Sequence, residues 1–252
     1  MVIGIAVAIV LTLHLAKSAG ISEESIYISA LWIVLFGLIG ARLVHVLDNL
    51  SYYGDNPGQV FAFWEGGLAW YGGLVGGLLG GAVYARVAKL SLWRLGDTVA
   101  PGVMLGLAIG RIGCTINGDA IGTPTSLPWG FVYTNPNSFA GAYLDVATHP
   151  APVYEILWIM VVLGVLWWLK GRLKTDGSLF LVMVAMYSFG RFWISWVRDE
   201  PAVLGPLHQS HIISLILFLG AVGLLVYRQR RAKSESDTHA LTRRGEIKNI
   251  ES

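Results

Sequence analysis

The sequence predicts an all-α integral membrane protein of seven transmembrane helices, with an extracytoplasmic loop region between helices four and five. Two observations carry this. Of 252 residues, 54% are hydrophobic and 13% charged, against about 25% charge in soluble domains. The apolar residues also gather into runs of about 17–25, the length that crosses a bilayer as a helix.

The first run, 1–17, is "MVIGIAVAIVLTLHLAK". It lacks a basic start and reads as a first span rather than a cleaved leader. The second, 26–47, carries Gly40, Ala41 and Arg42 near its end. The third, 66–88, contains "YGGLVGGLLGG" at 71–81, whose glycine pairs present small-residue faces for close helix packing. At its outer end Gly72 and Gly73 would also let a ligand approach the backbone. The fourth, 96–118, runs into "GRIGCTINGD", bringing Arg111, Cys114, Asn117 and Asp119. The fifth, 151–169, opens at "HPAPVYE", where Pro150 and Pro152 suit a helix entry and Glu155 follows. The sixth, 177–198, carries Tyr187, Arg191 and Arg198, and the seventh is 209–228. Residues 1–228 thus form one transmembrane domain. Its 119–150 segment, rich in Pro, Thr, Asn and Gly, is long for a connector and reads as a lid. Residues 229–252 read as a disordered tail.

Charge sets the orientation. Fourteen of the 18 Lys and Arg fall after spans one, three, five and seven, and the opposite loops hold none. The positive-inside rule puts the tail in the cytoplasm and the N-terminus outside. The other four, Arg42, Arg111, Arg191 and Arg198, lie inside spans or at their outer ends. An intramembrane arginine costs at least ~2.5–3.5 kcal/mol, so each needs a partner or a purpose. Arg42, Arg111 and Arg191 lie within roughly 7–11 Å of the outer interface, counted at 1.5 Å per residue. One reading pairs them structurally with Glu155. The other gives a cationic excess to an anionic ligand, and a guanidinium fork at this depth suits the phosphate of an outer-leaflet phospholipid. The single cysteine, Cys114, excludes an internal disulfide, and no Cys/His cluster has metal-ligand spacing. No metal, cofactor or nucleic-acid partner is expected.

These residues resemble those of the bacterial prolipoprotein diacylglyceryl transferases. The family signature Gly-Arg-x-Gly-Asn-x-x-Asn-Gly-Glu-x-x-Gly stands here as "GRIGCTINGDAIG", 110–122. Its His-Gly-Gly-Leu appears as "YGGL" at 71–74, and its His-Pro-x-Gln-x-Tyr-Glu as "HPAPVYE". Its Tyr-x-x-x-Arg appears as Tyr187 and Arg191, followed by "RDEP" at 198–201; Gly40, Ala41 and Arg42 resemble its second-span Gly-Ala-Arg. The resemblance implies transfer of the diacylglyceryl group of phosphatidylglycerol to the lipobox cysteine of a prolipoprotein, the first step of bacterial lipoprotein maturation. It implies Arg111, Arg191, Tyr71 and Asp119 as catalytic positions. Asn117, Gly122, Arg42, Gly72, Gly73, Tyr187, Glu155 and Arg198 are implied as substrate-binding positions. Several positions depart from the pattern: Tyr71 replaces a histidine, Cys114 an asparagine, Asp119 a glutamate, Pro152 a glutamine, and Ser195 an acid. The alternative reading is a diverged paralogue that binds anionic phospholipid without this chemistry, or with another acceptor.

Overall fold

The computed structural model describes residues 2–250; the side chains of Glu65, Trp70 and residues 235–250 lie outside the description, and with them most of the expected tail. The chain is mostly helical. In order it forms α1 (Val2–Ala19), α2 (Glu23–Asp48), α3 (Leu50–Asp55), α4 (Trp70–Val87), α5 (Leu92–Asn117), α6 (Ala151–Leu169), α7 (Ser178–Ile194) and α8 (Gln209–Ile250). Among the described residues, six helical stretches are long and apolar enough to cross a membrane: α1, α2, α5, α6, Ser178–Val197 and Gln209–Ser234. Bare aliphatic strips such as Leu157, Met160 and Val161 on α6, and Leu215, Ile216 and Leu219 on α8, are the faces that hydrocarbon covers. This is a multi-pass membrane protein. The glycine-rich third run forms α4 but is not among the six, because six glycines, two tyrosines and Arg86 dilute the hydropathy of its leucines and valines.

The chain divides into two compact units, residues 9–98 and residues 1–8 with 99–252. In the first, α2 begins at Ser22, whose hydroxyl accepts from the Ser25 N–H, with Glu23 and Glu24 facing the positive end of the helix dipole. Helix α4 packs against α2 backbone to backbone. A Cβ on Gly80 would come 2.5 Å from the Trp32 carbonyl oxygen, and one on Gly76 would come 3.2 Å from Gly40 Cα. The alternate glycines are looser: a Cβ on Gly77 would meet Ile33 Cγ2 at an ordinary 3.5 Å. Close approach therefore needs Gly72, Gly76 and Gly80, one turn apart on one face.

In the second unit the core interlocks three helices: Ala100, Met104 and Ala108 of α5, Ile159, Val162 and Leu166 of α6, and Leu179 and Met183 of α7. The three- and four-residue spacing puts each set on one helix face. One turn beyond this layer, on the same faces, stand Arg111, Glu155 and Tyr187. The core thereby aims three polar side chains at one point.

Helix α5 stops where Gly118 takes φ +75°, and the Gly118 and Asp119 N–H groups both donate to the Cys114 carbonyl. The following segment is stitched between two others. Gly122 donates to the His149 carbonyl (3.1 Å), Thr123 to Val197 (2.9 Å) and Thr125 to Ala147 (2.9 Å), while Asp199 donates to Ile121 (3.1 Å). A Cβ on Gly122 would come 2.5 Å from the His149 carbonyl oxygen and 2.6 Å from that of Val197, so glycine is required at this crossing. Two short hairpins complete the unit: β1 (Phe131–Val132) pairs antiparallel with β2 (Ala147–Thr148), and β3 (Ala202–Leu204) with β4 (Leu207–His208).

Candidate functional site: a cluster of arginines and carboxylates

Glu155, in the first turns of α6, is 1% exposed. A carboxylate so far from water must be paired or hydrogen-bonded. The Tyr187 hydroxyl donates to its Oε1 at 2.6 Å, and Arg111 Nε lies 3.0 Å from the same oxygen. Its Oε2 lies 3.8 Å from Arg191 Nη1 and 3.9 Å from Arg198 Nη1. At those separations the interaction is electrostatic, and Oε2 and Arg191 Nη1 make no hydrogen bond among the described residues.

A second acid completes the cluster. Glu200 Oε1 accepts from Arg191 Nη2 at 2.7 Å and lies 3.0 Å from Arg198 Nε; its Oε2 accepts from the hydroxyl of Ser210 in the first turn of α8. Burial alone would raise the Glu200 pKa, but the Ser210 hydrogen bond and the two guanidiniums more than offset it, and the carboxyl titrates below its ordinary 4.5. Burial, then the neighbouring Arg191, lower the pKa of Arg198. Three guanidiniums against two carboxylates leave one positive charge, the charge a phosphodiester anion neutralises.

Arg111, Arg191, Arg198, Glu155 and Tyr187, taken from four stretches of sequence, are thus in one cluster. Glu200 and Ser210 were not singled out from the sequence; the signal for Glu200 was the acid two residues after Arg198 in "RDEP". Three more candidates lie beyond or at the end of α5. Asn117 is its last residue, exposed, with its carbonyl accepting from Phe139 N–H at 2.9 Å. Asp119 Oδ1 is buried without a hydrogen bond. Gly122 sits at the backbone crossing that carries Arg198. Cys114 Sγ lies 3.7 Å from Arg111 Nη1, with Asp119 beside the thiol. His211 Nδ1 accepts from the His208 backbone N–H, a local cap at the start of α8.

The remaining candidates belong to the unit 9–98. Arg42 is 5% exposed and its guanidinium donates to four carbonyls, of Gln59, Val60, Gly66 and Gly67. Its Cζ also lies 5.3 Å from the Tyr53 ring centroid and 5.8 Å from that of Phe63. This geometry staples the 57–67 segment to α2. Tyr71 lies in the first turn of α4. Gly72 faces the Gly40 backbone, and a Cβ on Gly73 would meet Ala41 Cβ at 3.6 Å.

The chain matches the family model described as prolipoprotein diacylglyceryl transferase over residues 1–227. It is 36% identical to the phosphatidylglycerol–prolipoprotein diacylglyceryl transferase of Clostridioides difficile (strain 630), over 93% of this chain and 90% of that protein. Proteins of the same name from Acaryochloris marina (strain MBIC 11017) and Gloeobacter violaceus (strain ATCC 29082 / PCC 7421) are 40% and 37% identical. They align over 87% and 92% of this chain and 83% and 88% of their own lengths. A match this long, through the segments that supply all three clustered arginines, leads to one conclusion: the chain belongs to the prolipoprotein diacylglyceryl transferase family.

Proposed function

We propose that the protein transfers the diacylglyceryl group of phosphatidylglycerol to the lipobox cysteine of a prolipoprotein. The observation that carries this reading is the net positive cluster of Arg111, Arg191 and Arg198 around Glu155 and Glu200, in a chain of this family. In the reaction the acceptor sulfur attacks the diacylglycerol carbon that bears the phosphate ester. A C–S bond forms, the C–O bond breaks, and glycerol phosphate leaves with the bonding pair. Negative charge builds on the departing phosphate, so fixed guanidiniums stabilise the transition state more than the ground state.

The thiol must also lose its proton. We assign this to Asp119, whose buried Oδ1 lacks a hydrogen-bond donor and which stands beside Cys114, itself next to Arg111. A neutral phenol is a poor proton acceptor near neutral pH, so Tyr71 is not assigned this step. The nucleophilic sulfur comes from the acceptor, so Cys114 is not consumed.

In this reading α4 is a seventh span and the basic ends of the helices face the cytoplasm of a bacterial inner membrane. The arginine cluster then lies at the outer leaflet, and residues 119–150 cover it and admit the acceptor. A second reading, anionic phospholipid binding without transfer or with another acceptor, draws on Tyr71, Cys114 and Ser195 standing where the family signature has histidine, asparagine and an acid. One experiment separates the two. Purified protein is given phosphatidylglycerol and a lipobox peptide, and glycerol phosphate release and peptide mass are followed, with Arg111→Ala in parallel. Thioether product from wild type and none from the variant supports the transferase. Phospholipid binding that depends on Arg111 without any product supports the second reading.

A further inference from the structure

A cleft of about 410 Å³ opens past the end of α5, between residues 132–134 and the turn at 135–139. Its chemistry differs from that of the arginine cluster. No charged side chain lines it, so it has no cation to pair with a phosphate. Three carboxamides do line it: Asn117, Asn135 and Asn137. Asn135 Oδ1 accepts from the Asn137 backbone N–H at 2.9 Å, which shapes the turn. Asn117 and Asn137 are exposed, and the Ser138 hydroxyl is buried without a hydrogen-bond partner among the described residues.

A carboxamide presents a donor and an acceptor side by side, the complement of a peptide unit. The rim is apolar and bare, with Ile116 74% and Phe139 73% exposed. Strand β1, whose Val132 forms part of the wall, has a strand neighbour on one edge only among the described residues. Neutral carboxamides, an apolar rim and an unpaired strand edge are together what an extended peptide uses: backbone to the edge and amides, side chains to the rim. A glycerol headgroup would match the amides but leave Phe139 and Ile116 unused.

We propose that this cleft binds an extended segment of the acceptor polypeptide next to its reactive cysteine, an inference that rests on the transferase reading above. Asn117 follows Arg111 by six residues on α5, about 9 Å along the axis. Roughly three extended residues span that distance, so a peptide seated in the cleft delivers a cysteine a few residues away to the arginine cluster.

The test uses full-length protein with phosphatidylglycerol and a lipobox peptide carrying a benzophenone a few residues from the cysteine. The Asn135–Asn137 turn bond and the Asn117–Phe139 bond both use backbone N–H groups, so Asn137→Ala and Phe139→Ser keep the turn. Each variant is expected to raise the peptide KM about tenfold while the phosphatidylglycerol KM stays within about twofold. The unchanged lipid KM also reports an intact fold. Photo-crosslinks are expected within 132–139. An unchanged peptide KM, a rise confined to the lipid KM, or crosslinks only elsewhere would overturn the proposal. If wild type forms no thioether, the transferase reading fails separately, and the crosslink position still decides whether peptide occupies the cleft.

Discussion

Glu200 holds Arg191 through a 2.7 Å hydrogen bond from Nη2 to Oε1, and the same oxygen lies 3.0 Å from Arg198 Nε. One carboxylate oxygen thus sits between two guanidiniums that would otherwise repel. Replacing it with the isosteric amide in Glu200→Gln removes the negative charge and keeps the shape. The site then gains net positive charge but loses the group that aims Arg191. We predict that kcat falls by about 10²-fold, the cost of a misplaced group of about 1 Å, while the KM for phosphatidylglycerol holds or decreases. Steady-state kinetics with lipid and peptide varied separately read this out. A rise in lipid KM with kcat unchanged would mean that Glu200 does not orient the arginine.

The same carboxylate gives the protein an acid limb. Its folded-state pKa is depressed below 4.5 by the Ser210 hydrogen bond and the two guanidiniums, against the opposing effect of burial. A depressed folded pKa means the stabilisation is fully present above the unfolded value and is lost as pH falls through the folded one. Wild-type melting temperature in detergent should therefore include a Glu200 contribution that is flat from about pH 5 to 8 and disappears in stronger acid. The difference between wild type and Glu200→Gln, measured across that range, isolates it. A difference that grows toward low pH would contradict the sign.

How much of this was legible in the sequence depends on what kind of partner each residue has. Six membrane-competent helices follow from apolar runs of spanning length, and the same run length marks α4 as a span although its glycines thin the hydropathy. Arg111 and Glu155 stand out because a charge inside an apolar run is costly, and the helix period places each one turn past a core layer. Glu200 lies just outside its span, where an acid carries no penalty, so its one mark is its place two residues after Arg198 in "RDEP". The Arg42 partners were invisible for a different reason: all four are backbone carbonyls, and carbonyls leave no mark in a sequence. The relation of Gly122 to Arg198 arises from a crossing of three distant segments, which no local pattern encodes.

The Arg42 staple makes its own prediction. Four donors of one planar group reach four carbonyls, and a lysine ammonium has three donors at a single point. Arg42→Lys keeps the charge but leaves at least one of these part-buried carbonyls without its donor, at about 1.5–3 kcal/mol for each hydrogen bond to a charged group so lost. We expect faster backbone hydrogen exchange confined to residues 57–67, with α2 and α4 still protected. Exchange unchanged in that segment would show that the staple is not what orders it.

Neighbouring glycines on α4 should behave oppositely. A methyl group on Gly76 would overlap the Phe36 carbonyl and crowd Gly40 Cα at 3.2 Å, both backbone atoms that cannot rotate away. A methyl on Gly77 meets only Ile33, with its nearest contact 3.5 Å away on a side chain. Alanine also favours helix over glycine by about 1 kcal/mol, which leaves Gly77→Ala neutral or stabilising. Gly76→Ala gains the same propensity but forces α2 and α4 apart, an overpacking cost of about 1–3 kcal/mol or more. Thermal unfolding in one detergent should place Gly76→Ala below wild type and Gly77→Ala at or above it. Equal melting temperatures for the two variants would mean that the helices can separate without penalty, and that the four-residue glycine row is not what sets their distance.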